Sequence, residues 1–383
     1  MIQKGIMAFL VIAVVFPHSV FGAPRQDAIP DISSKAAIVI EASTGKVLFA
    51  YRAEERNFPA STTKMMTLLT ALENGNVNDM VTTSQNAANV EGSSLWLSPG
   101  EKLKLIELLY GIMLISGNDA TVAVAEHISG NVDAFARLMT QKAHAIGAKN
   151  TNFTNSSGLP DPNHYTTAHD LAIIAAYGFR NPLFTQIVST KHTVIPWAGK
   201  DFGRDLYNEN KMLWNYDGAN GVKTGYTEAA GPCLVSSAKR GNVQLVAVVL
   251  DSNRMWLDSK ALLDYGFSKI ETLPVYKRGE IVKTVRVKDG QTEYLPLAVA
   301  EDVVFPVSLD DHENFETVVE TSVKNYAPII AGQKVGSVKL LYKGTVYGSV
   351  DLIATQSVER KSLFGKLWTS LRSVVTLVMQ KIA

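Results

Sequence analysis

The spacing of hydrophobic and polar residues divides the chain into stretches of different texture. In the first, long apolar segments with helical spacing, such as residues 64–73 and 103–115, are separated by polar breaks. Two later runs, residues 231–238 and 243–251, are strand-like and are joined by the turn Arg240-Gly241-Asn242. This pattern predicts helices and strands together in the larger part of the chain.

The texture changes towards the C-terminus. From residue 275 to residue 355, short strand-like runs alternate with turn residues, and no long helical period appears. The clearest runs are residues 282–287, 317–321 and 338–342. We therefore predict a small all-β domain at residues 272–357. It contains no chemical motif, so its expected role is that of a spacer or platform.

The last segment combines apolar and basic residues in a helical pattern. Its apolar residues recur at steps of three and four and so line one helix face. They are Leu363, Phe364, Leu367, Trp368, Leu371, Val374, Val375, Val378, Met379 and Ile382. The remaining charges are lysines and arginines, and no acid follows Glu359. We predict a membrane-anchoring helix at residues 358–383 that lies on an anionic bilayer surface; the alternative is a helix docked onto the β domain.

The N-terminus has the three parts of an export signal. Lys4 supplies a positive charge, residues 6–16 are apolar, and Ser19 to Ala23 offers a small-residue cleavage site. An uncleaved membrane anchor is the alternative, but the apolar run is short for a span. We predict a signal peptide at residues 1–23, cleaved near Gly22 or Ala23, and hence an exported protein.

Composition narrows the possible functions. The chain has 383 residues, which favours two domains, and its formal net charge of +1 gives no reason to expect nucleic acid. Cys233 is its single cysteine, so no internal disulfide can form. No group of His, Cys, Asp and Glu residues has the spacing of a metal site, and we predict neither metal nor cofactor.

Three short motifs carry the candidate chemistry. The first, Ser61-Thr62-Thr63-Lys64, opens an apolar helix, so serine and lysine share the face of its first turn. A serine hydroxyl becomes a nucleophile when a base removes its proton, and lysine can be that base when burial and nearby positive charge keep it neutral. An ordinary helix start with a solvated lysine is the alternative. The second Ser-x-x-Lys, residues 236–239, lies in a strand-like run and fits that alternative.

The other two motifs would complete an acyl-transfer site. Ser116-Gly117-Asn118 separates two apolar helices, where it is either a helix cap or a proton relay with an amide for the substrate backbone. Lys223-Thr224-Gly225 precedes two strand-like runs. On a strand edge it would supply a positive charge, a hydroxyl for a carboxylate, and room for substrate backbone to lie as an added strand. A surface turn is the alternative for the third motif.

In this order and context the motifs resemble those of the serine D-alanyl-D-alanine carboxypeptidases, the low-molecular-mass penicillin-binding proteins. The likeness includes residues 60–67, residues 92–101 and the loop at residues 158–171. It covers nearly the whole mature chain. It implies a catalytic domain at residues 24–271 with an α/β (α+β), β-lactamase-like fold, in which helices flank an antiparallel sheet.

The resemblance also implies roles for individual residues. Ser61 would be the acyl-ester nucleophile, Lys64 the general base, Ser116 the proton shuttle and Lys223 an electrostatic residue. The implied substrate-binding residues are Asn118, Thr224, Gly225, Tyr226 and Arg254. Backbone N–H groups of Ser61 and Tyr226 would hold the oxyanion. The substrate would be a peptidoglycan stem peptide ending in D-Ala-D-Ala, and β-lactams would acylate the same serine.

Two residues depart from the family pattern as the resemblance implies it. Tyr226 follows the Lys-Thr-Gly motif where histidine or threonine is expected, and Glu209 stands between two asparagines where arginine is expected. A β-lactamase that uses a deacylating glutamate is disfavoured, because no glutamate occurs from residue 127 to residue 208. A D,D-endopeptidase, a weak β-lactamase and a non-catalytic penicillin- or wall-binding module stay open as alternatives.

Overall fold

The computed structural model describes residues 29–308, 315–321, 325–342 and 344–361. These residues form two compact units, and the boundary between the units falls between Glu271 and Thr272. The predicted signal peptide at residues 1–23 lies outside the described residues. So does the predicted anchoring helix, apart from residues 358–361 at its start. No helix within the described residues is long and apolar enough to cross a membrane.

The first unit contains helices and strands. Its helices are a 3₁₀ turn (Ala60–Thr63), α1 (Lys64–Asn74), α2 (Gln85–Ala88), α3 (Leu105–Leu114), α4 (Asn118–Ser129), α5 (Val132–Ala145), α6 (Ala168–Gly178), α7 (Pro182–Ser189), α8 (Met212–Asn215) and α9 (Met255–Ser268). Its strands are β1 (Ala36–Glu41), β2 (Val47–Tyr51), β3 (Met80–Thr82), β4 (Lys102–Lys104), β5 (His192–Ile195), β6 (Arg204–Tyr207), β7 (Ala219–Thr227), β8 (Gly231–Arg240) and β9 (Val243–Leu250).

A five-stranded antiparallel sheet in the order β2-β1-β9-β8-β7 forms the centre of this unit. Its middle strands are apolar on both faces: β1 is buried throughout and β9 nearly so. One face packs on a core that includes α1, α3, α4 and α6, and the other packs on α9. The predicted fold class, helices flanking an antiparallel sheet, is confirmed.

Two local predictions differ from the structure in detail. The apolar segment 103–115 is helical only from Leu105, because residues 102–104 pair with β3 as strand β4. The helix at residues 64–73 is preceded by the 3₁₀ turn, so Ser61 lies in that turn and not in the α-helix itself. Ser61 and Lys64 still share one face, since three residues make one turn of a 3₁₀ helix.

In the described part of the second unit the regular elements are strands, and the first of them begins two residues before the boundary. They are β10 (Ile270–Tyr276), β11 (Ile281–Arg286), β12 (Tyr294–Val299), β13 (Val303–Ser308), β14 (Phe315–Thr321), β15 (Lys334–Tyr342) and β16 (Thr345–Ala354). Five of them form a sheet in the order β11-β12-β16-β15-β14, around a core of valine, leucine and alanine. The predicted C-terminal all-β fold is confirmed.

Candidate active site

Ser61 lies half-buried in the 3₁₀ turn, and its neighbours fix it tightly. Ala60 adopts φ +47°, a conformation that costs a non-glycine residue on the order of 1 kcal/mol and is concentrated at functional sites. A loop residue, Gly158, packs against this turn with φ +90°, and a Cβ there would lie 1.9 Å from the Ala60 carbonyl oxygen. The nucleophile candidate therefore sits on a strained turn that is held from outside.

Lys64 is completely buried beneath Ser61. Its Nζ lies 2.9 Å from the Ser61 hydroxyl oxygen, 2.7 Å from Oδ1 of Asn118 and 2.7 Å from the carbonyl oxygen of Ser157. Burial lowers the pKa of Lys64 well below its ordinary value, and the positive charge of Lys223 lowers it further. Both effects favour the neutral amine.

The partners of Lys64 determine what that neutral amine can do. A neutral amine has two N–H donors and one lone pair. The Ser157 carbonyl can only accept, and Asn118 Oδ1 also accepts, because its amide nitrogen donates to the Glu91 carbonyl 2.7 Å away. Both N–H groups are then used, so the lone pair faces the Ser61 hydroxyl. This is the arrangement in which lysine can take the serine proton.

The second motif lies at the junction of α3 and α4. Ser116 has φ +65° and is 3% exposed, and its hydroxyl makes no hydrogen bond within the described residues. Asn118 begins α4, and its amide joins Lys64 to the Glu91 carbonyl. The Asn118 amide oxygen is thus committed to Lys64, and one amide hydrogen is left for a substrate.

The third motif lies on β7, one of the two edge strands of the five-stranded sheet. Gly225 packs directly on the nucleophile turn, since a Cβ at this position would lie 3.0 Å from the backbone nitrogens of Ser61 and Thr62. Any side chain would push the strand away from these nitrogens. The free edge of β7 leaves room for an extended peptide to pair with it.

Lys223 is also buried, 1% exposed, and it meets a carboxylate. Its Nζ lies 3.3 Å from the Thr224 hydroxyl oxygen and 3.7 Å from Oε2 of Glu209, and the Thr224 hydroxyl donates to the same carboxylate oxygen at 3.3 Å. Burial lowers the pKa of Lys223, while the charge of Glu209 opposes that shift. Glu209, noted in the sequence only as a departure, therefore faces the site.

The ion pairs of Arg254 are with groups outside the three motifs. Its guanidinium lies 3.5 Å from the Asp31 carboxylate and 3.6 Å from the Asp258 carboxylate, and it makes no contact with Thr224 within the described residues. Tyr226 lies at the surface, 66% exposed, next to Gly225 on β7. Both residues keep their substrate-binding roles only as predictions.

Sequence reasoning missed several groups that support the site. The Ser157 carbonyl has no side-chain signature, although the neighbouring loop at residues 158–171 was part of the resemblance. His164 is buried and bonded to the Thr63 hydroxyl at 2.8 Å, and burial lowers its pKa to about 4. Asp119 accepts from the backbone N–H groups of Leu95 and Leu97 and so anchors their loop.

Among the described residues, no group of His, Cys, Asp and Glu is placed to hold a metal ion. A serine above a buried lysine at a helix start, with Lys-Thr-Gly on the adjoining strand edge, defines the penicillin-binding class of serine acyltransferases.

Comparison with known proteins agrees with this class. The D-alanyl-D-alanine carboxypeptidase family (peptidase S11) matches residues 23–254, and the penicillin-binding protein 5 C-terminal domain matches residues 271–360. The chain belongs to the D-alanyl-D-alanine carboxypeptidase family, as its motifs predicted, and it is accordingly a serine peptidase, a hydrolase.

Individual relatives are similar over most of their length. The D-alanyl-D-alanine carboxypeptidase DacF of Bacillus subtilis is 37% identical over 336 residues, 85% of this chain and 86% of the relative. DacA of Haemophilus influenzae is 34% identical over 354 residues, 88% of each chain. The crystal structure of penicillin-binding protein 5 from Haemophilus influenzae superposes with a TM-score of 0.62 at 32% identity, covering 87% of this chain and 99% of that one.

Proposed function

We propose that the protein is a serine D-alanyl-D-alanine carboxypeptidase that removes the terminal D-alanine from peptidoglycan stem peptides through an acyl-enzyme on Ser61. The observation that carries this proposal is the buried Lys64 amine, whose two acceptor partners leave its lone pair for the Ser61 hydroxyl 2.9 Å away. The family membership supports the same activity.

In the first half-reaction, Ser61 Oγ bonds to the carbonyl carbon of the penultimate D-alanine while its proton passes to Lys64. Backbone N–H groups of Ser61 and Tyr226 hold the oxyanion, and the buried charge of Lys223 stabilises it. The carbon–nitrogen bond then breaks: Ser116 gives its proton to the departing nitrogen and takes the proton held by Lys64, so that D-alanine leaves and Lys64 is neutral again. Water hydrolyses the ester in the second half-reaction and restores the Ser61 hydroxyl.

Substrate recognition would involve groups on both sides of Ser61. The edge of β7 at Gly225 pairs with the peptide backbone. From the opposite side, the free N–H of the Asn118 side-chain amide donates a hydrogen bond to the same backbone. Thr224 binds the terminal carboxylate, with Arg254 as a more distant contributor. β-Lactams carry a carboxylate next to a reactive amide, so they acylate Ser61 by the same route.

Export and membrane attachment complete the proposal. Residues 1–23 act as a signal peptide, residues 24–271 form the catalytic domain, and residues 272–357 form a β domain that acts as a spacer. The helix at residues 358–383 holds the enzyme on the outer face of the cytoplasmic membrane, on the periplasmic side where an outer membrane is present.

Deleting residues 363–383 should release the exported protein from membranes without loss of turnover on a soluble peptide. Continued attachment of that truncated protein would contradict the anchor.

The activity is tested by following free D-alanine from a peptide that ends in Lys-D-Ala-D-Ala, with wild-type protein and Ser61→Ala side by side. Release that depends on Ser61 is expected. A stoichiometric penicillin adduct on Ser61 without release would favour a penicillin- or wall-binding module. Release from cross-linked peptides alone would favour the endopeptidase.

A further inference from the structure

The Glu209 carboxylate occupies a place next to the two groups that would receive a substrate carboxylate. Its Oε2 accepts a hydrogen bond from the Thr224 hydroxyl at 3.3 Å and lies 3.7 Å from Lys223 Nζ. The Glu209 side chain is 47% exposed, so the carboxylate is open to solvent while it contacts the buried lysine. A terminal carboxylate of a bound peptide would seek the same hydroxyl and the same charge.

The turn that carries Glu209 is fixed by its neighbours. Asn208 and Asn210 are both buried: the Asn208 amide donates to the Thr190 carbonyl, and each asparagine oxygen accepts a backbone N–H within the turn. The Glu209 N–H donates to the Leu114 carbonyl at the end of α3, 3.0 Å away. The backbone therefore places this side chain between the second and third motifs.

Structural stabilisation accounts poorly for a carboxylate in this position. The hydrogen bonds that fix the turn come from the asparagines and the backbone, so the turn itself does not depend on the carboxylate. The Glu209 carboxylate does place a negative charge where a substrate carboxylate would bind. Two carboxylates within about 4 Å repel each other strongly in partly desolvated surroundings.

We propose that Glu209 is a specificity-determining residue that acts as a built-in competitor for the substrate's terminal carboxylate. It holds the Thr224 hydroxyl and faces Lys223 in the free enzyme, and a peptide with a free carboxylate must displace it. Peptides whose last residue ends in an uncharged carboxamide meet no such penalty. This inference rests on the proposed carboxypeptidase activity and refines its substrate class.

The test compares two peptides and two variants. The peptides are Nα,Nε-diacetyl-Lys-D-Ala-D-Ala and the same peptide ending in a carboxamide, and the measurement is kcat/KM for release of the last residue. Glu209→Gln keeps size and hydrogen bonding but removes the charge. Glu228→Gln is the matched control, since it removes one exposed charge after the end of β7.

We expect Glu209→Gln to raise the ratio of kcat/KM for the acid over the amide by about tenfold, and Glu228→Gln to change it less than twofold. The ratio is decisive because Glu209 also raises the pKa of Lys64, and that effect on the base acts on both peptides, whereas repulsion between carboxylates acts on the acid alone. An unchanged ratio in Glu209→Gln, or an equal rise in Glu228→Gln, would overturn the inference. Neither result bears on the activity itself, which fails only when wild-type release is absent or persists in Ser61→Ala.

A second readout does not need peptide turnover. The rate of Ser61 acylation by benzylpenicillin, which carries a carboxylate, is compared with that by its methyl ester. Glu209→Gln should favour the acid over the ester by the same factor of about ten. Equal effects on acid and ester would remove Glu209 from the recognition of carboxylates.

Discussion

Around Lys64, all three hydrogen-bond partners of the amine are uncharged oxygens, whereas around Lys223 the amine faces the carboxylate of Glu209. Both lysines are buried to the same degree, and burial lowers both pKa values. The partners differ in charge: the carboxylate next to Lys223 favours its cationic form and so opposes the effect of burial, whereas the oxygens bonded to Lys64 carry no charge. Burial alone therefore does not assign a role to a lysine; its partners do.

The largest expected effect comes from removing each lysine in turn. Lys64→Gln removes the base and should slow acylation of Ser61 by a fluorescent penicillin by about 10³-fold. Lys223→Gln removes a charge but leaves the base, so we expect a loss of about 10²-fold or less. Melting temperatures of both variants control for folding. Equal losses would contradict the division of roles between the two regions.

A second change gives Lys64 the kind of partner that Lys223 has. Asn118→Asp keeps the shape of the side chain but replaces an amide oxygen 2.7 Å from Lys64 Nζ by a carboxylate. The new charge should raise the pKa of Lys64, hold it protonated and slow acylation at pH 7 by about 10²-fold. Because deprotonation restores the base, the rate should recover as the pH rises. A loss that is the same at every pH would indicate damage to geometry instead.

These two regions also differ in how far the sequence could predict them. The Ser61–Lys64 pair follows from helical spacing, and the edge position of Lys223 follows from the strand-like runs after it. The Ser157 carbonyl and the Glu209 carboxylate reach the lysines through tertiary contacts, across 93 and 14 positions of the chain. No local pattern encodes such contacts, and therefore the charge surrounding each lysine became visible only in the folded structure.

The same limit applies to Arg254. The resemblance implies that it helps to bind the terminal carboxylate, and this role stays a prediction, because the position of a side chain depends on tertiary contacts that a motif does not encode. Arg254 occupies the N-cap position of α9 without a side-chain capping bond, and its guanidinium lies against the carboxylates of Asp31 and Asp258. By contrast, the fold class could be predicted, because alternation and helical periodicity are properties of each segment by itself.

The region of the first motif keeps a second basic group uncharged. His164 Nδ1 accepts the Thr154 N–H, so its Nε2 carries the proton and donates to Thr63. Its pKa of about 4 lies below the ordinary 6.5, and the unfolded chain therefore binds the proton first as the pH falls. The contribution of the neutral His164 to the free energy of unfolding is complete above pH 6.5 and is lost progressively as the pH falls from there to about 4.

That decline can be measured against a variant without the imidazole. Between pH 7 and pH 5, wild type should lose about 2 kcal/mol more unfolding free energy than His164→Gln. Urea unfolding followed by tryptophan fluorescence suits this test, because four of the five tryptophans lie between residues 96 and 256, in the first unit. Parallel losses in the two proteins would show that His164 titrates normally.

The smallest expected effect concerns the second Ser-x-x-Lys of the chain. Ser236 and Lys239 lie on β8, where residues three apart point to opposite faces: Ser236 is buried with its hydroxyl donating to the Ala247 carbonyl, and Lys239 is exposed. Ser236→Ala should therefore change penicillin labelling by less than twofold, whereas Ser61→Ala abolishes it. Label that survives in Ser61→Ala and disappears in the double variant would make Ser236 a nucleophile. The motif has chemical meaning only where helical geometry turns a spacing of three into a contact.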